Sequence, residues 1–172
     1  MNLNSGIFFL LALCSSCNLS FASTEQVLLH YSGTVVIPPC TIEVPKVPID
    51  FGNVQAPSLS TSSDTTEWKD FSLDLSGCTD VTTVWMTFVG ASSPQSGYFA
   101  NSGTAKNLAI ELEMVENKVS AVPLYPGVTI TPNISGQSTA SFPFHVRIRN
   151  DGNGPATTGS VTAVITVDYV FK

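Results

Sequence analysis

Ser160-Val161-Thr162-Ala163-Val164-Ile165-Thr166-Val167-Asp168-Tyr169-Val170-Phe171-Lys172 closes the chain and decides how the rest is read. Val161, Ala163, Ile165, Val167, Tyr169 and Phe171 share one side of an extended backbone, with Thr162, Thr166 and Asp168 on the other. That period of two marks a half-buried β-strand. The same alternation recurs upstream. Phe142, Phe144, Val146 and Ile148 oppose His145, Arg147 and Arg149, and Leu108, Ile110, Leu112 and Met114 oppose Glu111 and Glu113. Val84, Met86 and Phe88 oppose Trp85 and Thr87, and Phe71, Leu73 and Leu75 oppose Ser72 and Asp74. A further short β segment is expected over 47–51, turned by Gly52-Asn53. The Ser/Thr-rich stretch 56–66 reads as a surface loop, and Asn150-Asp151-Gly152-Asn153-Gly154-Pro155 as a turn. Pro143, which lacks an N–H, predicts an edge position or a bulge in its strand.

About seven short strands with no helical period between them predict an all-β, immunoglobulin-like sandwich in one domain. The composition agrees: of 172 residues 43% are hydrophobic and only 12% charged. Seven basic against 13 acidic residues leave a net charge of −6, and no Lys/Arg cluster offsets it. A nucleic-acid partner held by phosphate neutralisation is therefore excluded.

Residues 1–22 read as a secretory signal. Ile7 to Leu13 form an apolar core too short to span a bilayer, and Ser20-Phe21-Ala22 offers small residues for cleavage after Ala22. The n-region has no Lys or Arg, which departs from the usual pattern. Cleavage would remove Cys14 and Cys17, leaving Cys40 and Cys78. In an oxidising compartment an isolated pair forms one disulfide. The expected mature chain divides into an alternating arm, 23–37, and a domain, 38–172.

No constellation of catalytic groups emerges. His30 and His145 have no carboxylate partner at motif spacing, Ser92-Ser93 lies in no nucleophile elbow, and Glu111 and Glu113 read as a solvated strand face. Asn133-Ile134-Ser135 matches a glycosylation sequon and reads as a turn. Trp68, Trp85, Tyr98, Phe99 and Tyr125 are aromatics near loops that could line a sugar site. No enzyme, metal or small-molecule cofactor is expected.

The termini are the unusual part. Val27, Leu29, Tyr31, Gly33, Val35 and Ile37 form an apolar row at one end of the mature chain, and Val161 to Phe171 form one at the other. An apolar strand without a charged gatekeeper has to be covered by something. At these residues the chain resembles the pilin subunits of chaperone–usher fimbriae of the type 1 and P pilus kind. Four features carry the resemblance. They are the arm centred on Gly33, the block Gly33 to Ile42 with Pro38-Pro39-Cys40 running on to Asp50-Phe51-Gly52-Asn53-Val54, Cys78 after a strand, and Gly159 with the penultimate Phe171 around the last strand. The wording around Cys40 is most similar to minor or adaptor subunits.

The resemblance implies a sandwich lacking its final strand, completed by donor-strand complementation. It assigns Val27, Leu29, Tyr31, Gly33, Val35 and Ile37 to a donor strand. Gly159, Val161, Ala163, Ile165, Val167, Tyr169 and Phe171 would form the strand beside the acceptor groove. It implies a periplasmic pilus chaperone, an outer-membrane usher and neighbouring pilin subunits as partners, and a fimbrium on the bacterial surface that serves adhesion. The alternative on the same architecture is an autonomous single-domain adhesin or lectin with a complete sandwich.

Overall fold

A computed structural model describes residues 27–34, 39–116 and 120–172. The expected leader, with Cys14 and Cys17, lies outside the described residues, as do 23–26 and Val35, Val36 and Ile37 of the expected arm. The chain divides into a unit ending at Val35 and a second from Val36 to Lys172.

Apart from one short 3-10 turn, the regular structure described in the second unit is all β. Its strands are β1 (Thr41–Ile42), β2 (Lys69–Ser76), β3 (Val84–Val89), β4 (Phe99–Ala100), β5 (Leu108–Val115), β6 (Ala121–Leu124), β7 (Thr129–Ile130), β8 (Ala140–Asn150) and β9 (Thr166–Phe171). One sheet runs β1-β2-β8-β5-β4, with β6 also on β5; the other runs β7-β3-β9. All ladders are antiparallel. The apolar rows expected on β2, β3, β5 and β8 face one core: Leu73, Leu75, Val84, Met86, Phe88, Leu108, Ile110, Leu112, Phe142, Phe144, Val146 and Ile148 are buried in it. Phe88 and Phe144, with ring centroids 5.6 Å apart, tie one sheet to the other.

Cys40 and Cys78 are joined in a disulfide across 38 residues of chain. It clamps the start of β1 to the end of β2, and closing a loop of that length stabilises the fold by about 4 kcal/mol on chain-entropy grounds.

Two local expectations change in the folded chain, and the one for Pro143 is met. Residues 47–51 join no ladder; Val47, Ile49 and Phe51 pack on the core as an extended chain. Pro45 and Pro48 remove donors that a ladder there would need. The stretch 56–66 is more than a surface loop. Pro57 sits in a turn of 3-10 helix, Ala56–Leu59, which buries Leu59 at 1% exposure. The buried Asn150 Nδ2 donates to the Leu59 and Gly154 carbonyls, fastening that turn to the 150–155 turn. Pro143 lies in β8 between two neighbours, yet β5 pairs β8 only as far as Met114↔Phe144, whereas β2 continues through Ser72↔Pro143. At the proline the strand is an edge on one side, as its missing N–H requires. Finally, β6 and β7 are too short to show a period in sequence.

Candidate functional site

The C-terminal strand is paired on one side only. Among the described residues β9 has β3 as its sole neighbour, in the register Val84↔Phe171, Met86↔Tyr169 and Phe88↔Val167. Lys172 and Thr83 exchange both backbone hydrogen bonds, each at 2.9 Å. In an antiparallel ladder hydrogen-bonded pairs come at every second residue, so Val170, Asp168 and Thr166 also bond toward β3. Val167, Tyr169 and Phe171 then turn their N–H and C=O groups to the open edge. These are also the residues whose side chains face the core, and all three are only half-buried, whereas Val84, Met86 and Phe88 opposite are 0–1% exposed.

The half-covered row continues upstream through Ile165, Ala163 and Val161, all packed on the core from one side. Here the backbone is held by the loop between β4 and β5 instead of a ladder. Ser102 N donates to Thr162 O at 2.8 Å and Ala105 N to Ser160 O at 3.0 Å. Thr162 N reaches Asn101 Oδ1 and Ser160 N reaches Thr104 Oγ1, both at 2.8 Å. The approach is close enough to demand glycine on both sides. A Cβ on Gly159, at φ +152°, would collide with the Ala105 nitrogen, and one on Gly103 with the Ser160 carbonyl. Because Ser160 and Thr162 spend their backbone groups on that loop, the odd-numbered residues face outward along the whole length from Val161 to Phe171.

A second inward row is incompletely covered near the other end of the unit. Ile42 pairs with the buried Leu75 and so lies on the core side, yet it is 38% exposed; Val47, Ile49, Phe51 and Val54 are half-buried against the core. Tyr169 lies within electrostatic reach of this end. Burial, and then the carboxylate of Asp74 on β2, push its phenol from 10.0 up to about 12. The same carboxylate is held below its ordinary range by hydrogen bonds from Ser141 and Ser72. In the unfolded chain the phenol ionises near its ordinary value, before the folded one does. Stability should therefore decline from about pH 10 to about pH 12 and level off above it. Tyr169→Phe should flatten that part of the profile, as measured by denaturant unfolding across the alkaline range.

Two core rows therefore stand short of full burial, and one borders a strand edge that is unpaired among the described residues. A family described as Fimbrial protein matches this chain over residues 29–171. The chain belongs to the fimbrial protein family. Among curated relatives this fimbrial subunit is similar to Protein FimG of Escherichia coli K12, 34% identical over 86% of each chain. It is also similar to the S-fimbrial adhesin protein SfaS of Escherichia coli O6:K15:H31, 26% identical over 91% of each. Solved structures share the fold. A chaperone–usher pilus subunit from a study of rod uncoiling has TM-score 0.65 and 18% identity, over 88% of this chain and 99% of that one. The P pilus rod subunit PapA has TM-score 0.64 and 16% identity, over 78% and 100%. The chain is thus a structural, non-enzymatic subunit, secreted through the periplasm to a surface fimbrium, and its sandwich is an incomplete immunoglobulin-like one.

The fimbrial subunit's other candidate residues fall elsewhere. Glu111 is not on a solvated face: it is 4% exposed, with Arg147 Nε at 2.6 Å and Arg149 at 3.2 Å from one of its oxygens. Trp68 lies over Arg147, and Tyr98 over Arg149, which is what takes this outer face out of water. His145 does find a carboxylate, Glu113 at 2.9 Å, and stacks on Trp68 at 3.8 Å. Cross-strand register makes these pairs, Glu111↔Arg147 and Glu113↔His145, so no spacing along the chain could have revealed them. The five loop aromatics do not gather at one place: Tyr98 and Tyr125 meet, with ring centroids 5.1 Å apart, but Phe99 is core, Trp68 covers Arg147 and Trp85 lies under Lys172. Asn133 caps its own turn by accepting from Ser135 N. No group of three or more metal-ligating side chains occurs among the described residues.

Proposed function

We propose that this subunit polymerises by donor-strand exchange, taking one β-strand on the open edge of β9 and giving another from its own arm. The single observation behind this reading is the row Val161, Ala163, Ile165, Val167, Tyr169 and Phe171, half-buried in side chain and outward-facing in backbone. A strand added there would satisfy the backbone and cover the side chains in one step, the combination that makes β-augmentation both tight and selective.

The donor is the arm over 23–37, left after removal of residues 1–22, and the acceptor is the domain over 38–172. In the described part of the arm Val27, Leu29 and Tyr31 are 82%, 66% and 87% exposed. Covering five such side chains in a groove is worth on the order of 10 kcal/mol before ordering costs. Gly33, without a Cβ, suits a shallow point between them. A periplasmic chaperone holds the edge first, an outer-membrane usher exchanges it for the arm of the next pilin subunit, and head-to-tail docking of this kind yields a fibre instead of a closed ring. The Cys40–Cys78 disulfide braces the start of the domain.

A purified chaperone-bound subunit offered a synthetic arm peptide from a neighbouring pilin should release the chaperone and retain the peptide through size exclusion. A subunit that stays folded and monomeric after losing its chaperone, with no peptide bound, would instead be an autonomous module.

A further inference from the structure

The turn after β8 contains the chain's one Asn-Gly pair, Asn153-Gly154. Such a pair can react with itself, because a glycine nitrogen has no neighbouring Cβ to screen it from the preceding side-chain amide. In a folded chain the attack depends on whether those two groups are free. Here both are. Asn153 is exposed, and among the described residues neither its side chain nor the peptide group joining it to Gly154 takes part in a hydrogen bond. The bonds that hold the turn lie on either side of that peptide. Asn153 N donates to Asp151 Oδ1 at 3.1 Å, and the Gly154 carbonyl accepts from Asn150 Nδ2 at 2.8 Å.

The other described asparagines lack this combination. Asn101 spends its amide on Ala105 O, Gly103 N and Thr162 N, while Ser102 N donates to Thr162 O. Asn107 Nδ2 donates to Pro155 O, and Leu108 lies in a ladder. After Asn133 the Ile134 N–H is held by Thr82 O, and after Asn150 the Asp151 N–H is held by Asn107 O. Asn53 is exposed, but the branched side chain of Val54 screens the nitrogen that follows it. Even Asp151-Gly152, open to the same ring closure, has its glycine N–H occupied by Asn150 Oδ1 at 2.8 Å.

We propose that Asn153 is a site of spontaneous deamidation, and that the product loosens the clamp between this turn and the Leu59 turn. Gly154 N gives its proton to a solvent base and bonds to Asn153 Cγ. The Cγ–Nδ2 bond breaks, and the amide nitrogen takes a proton from solvent and leaves as ammonia. Water then opens the cyclic imide at either carbonyl, giving aspartate or isoaspartate. Nothing is oxidised or reduced and only water is consumed, so the reaction can run on a fimbrium at the cell surface. Isoaspartate carries the chain through the side-chain methylene and lengthens the backbone by that carbon. The Gly154 carbonyl is thereby displaced from Asn150 Nδ2. Asn150 is 1% exposed, so the lost acceptor is not replaced by water without opening the turn. Its amide also holds Leu59 O, the carbonyl that accepts from Ala156 N at 3.0 Å.

The test incubates the full mature subunit in its chaperone complex at mildly alkaline pH and follows it by isoelectric focusing and peptide mapping. An acidic species should accumulate, with isoaspartate at 153 and Asn101, Asn107, Asn133 and Asn150 intact. An unbonded loop peptide opens at little cost, so the rate should lie within about tenfold of that in a free peptide of residues 148–158. Asn153→Gln, whose longer side chain must close a larger ring, should abolish the acidic species. In the isolated isoaspartate form the Ala156 amide should exchange with solvent on the order of tenfold faster, the effect of one lost hydrogen bond at a buried amide. Freshly prepared Asn153→Asp, which adds the charge without the extra backbone carbon, should exchange at the native rate. An intact Asn153 where the free peptide reacts, or an acidic species that persists in Asn153→Gln, overturns the site. Unchanged Ala156 exchange in the isoaspartate form overturns the loosening of the clamp.

Discussion

Val167→Asp, or Ile165→Asp, is expected to abolish chaperone capture and fibre incorporation while leaving the sheet β1-β2-β8-β5-β4 able to form. Both side chains belong to the half-covered row, so in the uncapped subunit a carboxylate there still reaches water. Once any strand closes the groove, the same carboxylate is sealed among apolar groups with no cationic partner in the row. Burying a polar group without a compensating hydrogen bond costs several kcal/mol, and a charge costs more. That is enough to cancel the contribution of two or three of the arm's side chains. The measurement is periplasmic yield of the chaperone complex together with fibre content at the cell surface. Native levels of both for either variant would refute the assignment of this row. Val164→Asp, on the outer face of the same segment, provides the control, since its side chain stays in water.

The second large effect concerns the domain's completeness. A chain starting at Gly33 should be poorly soluble and melt without a sharp transition. The same chain with a linker and a copy of residues 24–37 appended after Lys172 should melt cooperatively and run as a monomer. The physical ground is again the row at β9. Without a neighbour, six inward residues keep contact with water and the odd-numbered backbone groups remain unpaired, whereas an appended strand covers both and joins the cooperative unit. With roughly 10 kcal/mol at stake, comparable to the whole stability of an ordinary domain, the difference should amount to tens of degrees. Equal melting of the two chains would identify a complete, self-sufficient sandwich.

Much of the fold was legible because a strand with one buried face writes its period into the chain. The rows on β2, β3, β5 and β8 were each readable from a few residues, and so was the disulfide, since Cys40 and Cys78 were the only pair outside the expected leader. What escaped had no local signature. Asn150 was readable as a turn residue, but its role in tying the Leu59 turn to β8 depends on a contact across 91 positions. Glu111 looked solvated because its own strand says nothing of Arg147 and Arg149 on β8, or of the aromatic rings that lie over them. The extent of β9 shows the same limit in reverse. Alternation runs evenly from Val161 to Phe171, yet only Thr166–Phe171 joins a ladder, because β3 ends at Val89 and the backbone before that point bonds to the loop at 101–105.

The candidate site divides along the same line. Alternation by itself marked Val161 to Phe171 and Val27 to Ile37 as apolar rows along one side of an extended chain, and the arm around Gly33, the block through Cys40, Cys78 and the Gly159–Phe171 frame together carried the resemblance to pilin subunits. A period of two assigns a residue to a face and is silent about its neighbours. Only the tertiary structure decided that, among the described residues, β9 has β3 as its one ladder partner, and that its inward residues are also the ones whose backbone faces away from β3. Strand pairing is made by residues tens of positions apart, so the side on which a sheet stops is settled by packing and not by any segment's own composition.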